Sequence, residues 1–210
     1  MARESLALLE HALGSKHPDV LHPLRTLAGA LALLGQDTKA LQIIERGLHI
    51  AQEGDAPTNI YAMLFLSLCA QVEAHMHDDR APKTARAAYE SARELFGIEH
   101  ATTTHEIAAG MFPIGLGSWL DDETKALQSG DSVAVDRVAS LADDAERMGF
   151  AQHATAARNV LVAMLASIGR TEQAMENAQH GLTFAEKAGD ETAAAHFRDL
   201  LEKLSSPSGA

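Results

Sequence analysis

GQDTKALQIIERGLHIAQEGD, residues 35–55, has a near-copy later in the chain, GRTEQAMENAQHGLTFAEKAGD, residues 169–190. Both stretches open on glycine, Gly35 and Gly169, and both close on Gly-Asp, at Gly54-Asp55 and Gly189-Asp190. Between them Ala40 corresponds to Ala174, Gly47 to Gly181, Leu48 to Leu182 and Ala51 to Ala185. Internal self-similarity of this kind marks a repeat architecture, in which each unit buries its apolar face only against its neighbours.

What flanks the two copies completes the unit. Before Gly35, Leu24, Leu27, Leu31 and Leu34 recur at helical spacing, with small Ala28 beside Leu27. Before Gly169 stand Arg158, Leu161, Val162 and Leu165. Each opening glycine therefore turns one amphipathic helix back along another, giving an antiparallel helix hairpin. Residues 57–77 and 81–96 read as a further pair, the second helix carrying Ala85, Tyr89 and Ala92. Residues 2–13 read as a lone helix ended by Gly14, a half-repeat or N-terminal cap. Such a half-repeat is what the excised array of a larger regulator would begin with. Residues 190–204 read as a capping helix, with Ala194, Phe197, Leu200, Leu201 and Leu204 on one face and Arg198, Asp199, Glu202 and Lys203 on the other.

The hairpin turns fall at Gly35, His77, Gly130 and Gly169, spaced 42, 53 and 39 residues apart. The excess in the middle period lies where Gly110, Pro113, Gly115 and Gly117 cluster. An interior proline removes a helix hydrogen bond and clashes with the preceding turn. The expectation is a helix over about 100–111, a break near 112–117, and a helix to about 129. That region is either one long kinked helix or an inserted, partly mobile element that shapes a site.

The hairpins resemble tetratricopeptide repeats. Leu24, Leu27, Ala28 and Leu31 match the pattern of the first helix, and Ala40, Ile44 and Gly47 that of the second, with Ile44 where an aromatic is common. His17-Pro18-Asp19-Val20 followed by Leu27-Ala28 is similar to the longer repeat of kinesin light chains and their bacterial relatives. Glu73 and Arg158 depart from the pattern, each a charge in a packing slot. The resemblance implies an all-α, right-handed superhelix of about ten helices. It would run as one array over 1–206, with 1–14 as half-repeat or cap, hairpins at 17–54, 57–97, 98–149 and 152–189, a cap at 190–206 and a disordered tail at 207–210. It also implies a concave groove lined by the first helix of each pair. The groove candidates are His22, Arg25 and Gly29, then Ser67, Gln71 and His75, then Asn159 and Ala163. Trp119 is a further candidate, as ligand anchor, groove plug or core. In this family an Asn such as Asn159 often bonds the backbone of a bound peptide. The Lys/Asn set that clamps a C-terminal carboxylate is absent.

Composition narrows the function classes. The chain has 210 residues, 46% hydrophobic and 4% aromatic, with net charge -12 and pI near 5.3. An acidic chain without a basic stripe argues against nucleic acid and against an anionic membrane surface. Cys69 is the sole cysteine, so no internal disulfide forms, and its apolar surroundings suit a small buried hydrophobe. The N-terminal MARESLALLEHAL carries acids and is neither a signal peptide nor a spanning segment, so a cytoplasmic, bacterial-type setting is expected.

Eleven histidines require metal to be weighed. His75 and His77 beside Asp78 and Asp79 have suitable donors, yet residues two apart on a helix face different sides. Glu99-His100 and His105-Glu106 are no better spaced. There is no nucleophile motif, no phosphate loop and no paired-cysteine motif. The expectation is a non-enzymatic scaffold or adaptor without cofactor or metal. Its partner would be a protein or peptide, and homo-oligomers through the array ends are conceivable. The alternatives are a sensory array that binds a small molecule or signalling peptide near residues 100–119, and a metal-dependent enzyme on a helical scaffold.

Overall fold

The computed structural model describes residues 2–53, 59–98, 100 and 103–206; the expected tail at 207–210 and the Gly54-Asp55 signal lie outside them. The described residues form α1 (Ala2–Leu13), a short 3-10 turn (Pro18–Val20), α2 (Leu21–Leu33), α3 (Asp37–Glu53), α4 (Asn59–His75), α5 (Ala81–Phe96), α6 (Thr103–Gln128), α7 (Ala134–Arg147), α8 (Ala151–Ser167), α9 (Thr171–Ala188) and α10 (Glu191–Ser205). No strand occurs among them. The fold is an all-α helical repeat, and the chain divides into two compact units, Met1–Leu116 and Gly117–Ala210.

The four hairpin turns are built alike. Gly35, Gly130 and Gly169 adopt positive φ of 67°, 97° and 76°, and His77 does the same at 55°. In each turn the next residue reaches back five positions: Gln36 N to Leu31 O, Asp78 N to Glu73 O, Asp131 N to Ala126 O and Arg170 N to Leu165 O, at 2.9–3.0 Å. This closes the helix end by satisfying a carbonyl that would otherwise lack a partner. Glycine takes the left-handed conformation without a Cβ clash, whereas histidine at 77 bears that strain.

In the first unit α2 packs on α3, α3 on α4, and α4 on α5, with α2 and α4 also side by side. Leu24, Ala28 and Leu31 of α2, Ala40 and Ile44 of α3, and Phe65 and Val72 of α4 form one buried cluster. In the second unit α7, α8, α9 and α10 pack in succession. Val138 and Leu141, Leu161 and Leu165, Ala174 and Ala178, then Ala194 and Phe197 are the buried contacts that helical periodicity leads one to expect. Asp190 caps α10 by accepting a hydrogen bond from Ala193 N at 3.0 Å.

One expectation fails. There is no break at 112–117: α6 is continuous, with Pro113 inside it. Pro113 and Ala109, whose carbonyl the proline leaves unbonded, are both exposed, so water can serve that carbonyl. Around them Ala108, Met111, Phe112 and Leu116 are buried, and the Phe112 ring meets Tyr89 of α5 edge-on at 5.0 Å between centroids. Aromatic burial of about 2–3 kcal/mol per ring offsets the local cost of the proline, about 3 kcal/mol.

Candidate functional site: an open groove between α2 and α4

The repeat register sets α2 and α4 parallel neighbours on one face of the first unit, because each is the first helix of a hairpin. Between them runs an open groove of about 720 Å³, lined by Gly29, Ala32, Leu33, Gly35, Asp37, Leu68, Gln71, Val72 and His75. Nothing lies within 4 Å of where a Gly29 side chain would begin, so this stretch of α2 contributes bare backbone to the groove. The floor is apolar. Leu33 is 92% exposed, an unusual state for a leucine beside Leu68 and Val72.

The rim is polar. His75, the last residue of α4, places Nδ1 2.9 Å from Asp37 Oδ2 in the first turn of α3. The helix dipole favours a negative charge in that turn. The other oxygen, Asp37 Oδ1, is buried and has no hydrogen-bond partner. Gln71 is exposed and also lines the groove, and its Nε2 would be 3.6 Å from a side chain at Gly110 of α6.

Of the residues proposed from sequence, Gly29, Gln71 and His75 line this groove. His22 is exposed and Arg25 half-buried on α2, outside the groove lining, with Arg25 Nε buried and unbonded. Ser67 is buried at 7% exposure, and the groove position beside it is Leu68. Trp119 is 1% exposed and fills core. Sequence reasoning missed Leu33, Leu68 and Asp37. None of the three stands at a position that the repeat pattern singles out.

The second unit has its own face. Asn159 sits between two hollows of about 530 and 600 Å³, one shared with Thr124, Leu127, Ala163 and Met164, the other with Gln152, Asp190, His196 and Phe197. Its Oδ1 lies 2.8 Å from His196 Nε2 of α10, so this amide is already engaged within the chain.

The two departures from the repeat pattern are buried charges, each facing opposite charge from outside its own helix. Arg158 is 7% exposed and donates to Asn177 Oδ1 at 3.1 Å, Asp143 Oδ1 at 2.8 Å and Glu146 Oε2 at 3.0 Å. Glu73, 4% exposed, faces Arg80 Nε at 3.6 Å and stands beside Cys69. Burial, then the Glu73 charge, push the Cys69 thiol up to about 12, which keeps it protonated and unreactive.

The histidine-rich turn disperses rather than converges. Asp78 is taken by Arg80, whose hydrogen bonds hold that carboxyl at about 2, while His75 goes to Asp37. The His100 ring lies against Phe96, tilted by 43°, at 5.1 Å between centroids. Among the described residues no three His, Cys, Asp or Glu side chains come together as a metal site. No described helix is long and apolar enough to cross a membrane.

No known protein-family model matches the chain, and no curated protein matches it. A solved structure, described as the crystal structure of BtubC (BKLC) from P. vanneervenii, covers 97% of this chain and 86% of that chain, at 16% identity and a TM-score of 0.39.

Proposed function

We propose that the chain is a non-enzymatic binding module, a scaffold or adaptor that takes a protein or peptide segment in the α2–α4 groove. The observation that carries this reading is the groove itself: an apolar floor with Leu33 held out in solvent, flanked by exposed Gln71 and the His75–Asp37 pair. Apolar contact supplies affinity in such a site, and a few fixed polar groups supply orientation. The tetratricopeptide resemblance supports the same use of the first helices.

Panning a displayed peptide library on the immobilised full chain tests this. A Gly29→Trp variant fills the groove from a position with open space around it. Peptides that bind the chain and lose at least about tenfold in affinity to this variant, with unchanged circular dichroism, are the expected result. Peptides that ignore Gly29→Trp would place the binding surface elsewhere, and an empty selection would count against the module.

A further inference from the structure

We propose that the segment held in the α2–α4 groove carries an arginine beside an apolar side chain, the guanidinium pairing with Asp37 and the apolar group resting on Leu33 and Leu68. This rests on the peptide-binding reading above and names the chemistry of the partner.

Charge is the first argument. Among the described residues Asp37 is the only carboxylate in the groove lining, and no Lys or Arg accompanies it. An acidic segment would find repulsion and no cation. A cationic one would find a carboxylate and approach a chain of net charge -12.

Hydrogen bonding is the second. Asp37 accepts at Oδ2 only from the His75 ring, at 2.9 Å, and its buried Oδ1 has no donor. A buried acceptor without a donor is an unmet demand. A guanidinium presents two parallel N–H groups spaced for both oxygens of one carboxylate, which a lysine ammonium does not.

Access is the third. The His75 side chain is 67% exposed, while that of Asp37 is 16% exposed. His75 ends α4, just before the left-handed His77 turn, so its ring can rotate into solvent without disturbing the core. His75 thus covers Oδ2 in the empty groove, and an incoming guanidinium displaces it there, reaching the buried Oδ1 once the ring has moved aside.

The experiment uses peptides selected on the full chain and measures their affinity by fluorescence anisotropy. Arginine beside an apolar residue is expected among those that depend on the groove. Replacing that arginine by citrulline, which keeps the shape and loses the charge, is expected to weaken binding at least about tenfold. Asp37→Asn is expected to abolish the preference for arginine over citrulline, and His75→Ala to tighten binding of the arginine peptide. Equal affinity for the citrulline peptide, weaker binding to His75→Ala, or selected peptides without a cation would overturn the proposal. If those peptides still fail on Gly29→Trp, the groove reading stands while the arginine assignment falls. If they ignore Gly29→Trp, both fall.

Discussion

A β-carbon at Gly181 of α9 would stand 2.5 Å from Cζ of Phe197 on α10, inside any distance two carbons sustain. The same relationship recurs in the first unit, where the Phe65 ring of α4 occupies the space a side chain at Gly47 of α3 would need. Both rings are buried, so neither can swing aside. The paired glycines of the sequence repeat are therefore seats for phenylalanines on the following helix. Gly47→Ala and Gly181→Ala are expected to destabilise the protein by about 1–3 kcal/mol through overpacking. Gly117→Ala, in α6 with nothing within 4 Å, is expected to stabilise by up to about 1 kcal/mol. Thermal or urea melts of the three variants measure the contrast.

His77 stands in a turn position that is glycine in the other three hairpins, at φ 55°. His77→Gly is expected to stabilise by up to about 1 kcal/mol, since the relief of strain exceeds the added freedom of the unfolded chain. Gly35→Ala, the reverse change at φ 67°, is expected to destabilise by about 1 kcal/mol. A stabilising Gly35→Ala would show that these turns do not depend on the left-handed conformation.

Cys69 gives a pH prediction. Its folded thiol is raised to about 12, above the ordinary cysteine range. A raised acid contributes stability that is fully present below the unfolded value, about 8.5, and is lost as pH climbs towards the folded one. Stability is therefore expected to decline between those values less steeply in Cys69→Ala than in the parent chain. Native protein at pH 8 is expected to resist alkylation by iodoacetamide, with full labelling in denaturant. Rapid native labelling would contradict the burial of this helix face.

Arg158 fills a slot that the repeat reserves for an apolar residue. Its partners Asp143 and Glu146 are partly open to solvent, with side-chain exposures of 51% and 27%, so they can be rehydrated when it is removed. Arg158→Ala is expected to cost about 2–3 kcal/mol through lost packing. Arg158→Leu is expected to recover most of that, because replacing a buried ion pair by a well-packed apolar group is often near neutral. Chemical denaturation of both variants decides it. A Leu variant as damaged as the Ala variant would mean that the ion network, not the volume, holds α7, α8 and α9 together.

The helices and their turns were legible in the sequence because their causes are local. Leucine spacing, the glycines at 35, 130 and 169, and the Gly47–Gly181 correspondence act within one or two turns of chain or repeat outright. The groove was legible only in part. The hairpin pattern pointed to Gly29, Gln71 and His75 as first-helix residues between packing positions. It put Ser67 in the groove where Leu68 belongs, because a one-residue step turns a helix by about 100° and sequence periodicity does not fix the face that finely. Three things were decided by tertiary structure alone. Pro113 stays helical because Phe112 and its buried neighbours hold α6 in place. Trp119 goes to core. Asp37 meets His75 across 38 residues because the hairpin stacking returns α4 to the start of α3. Local chemistry chose the elements; which side chains they share was settled by packing, whose partners lie far apart in the chain.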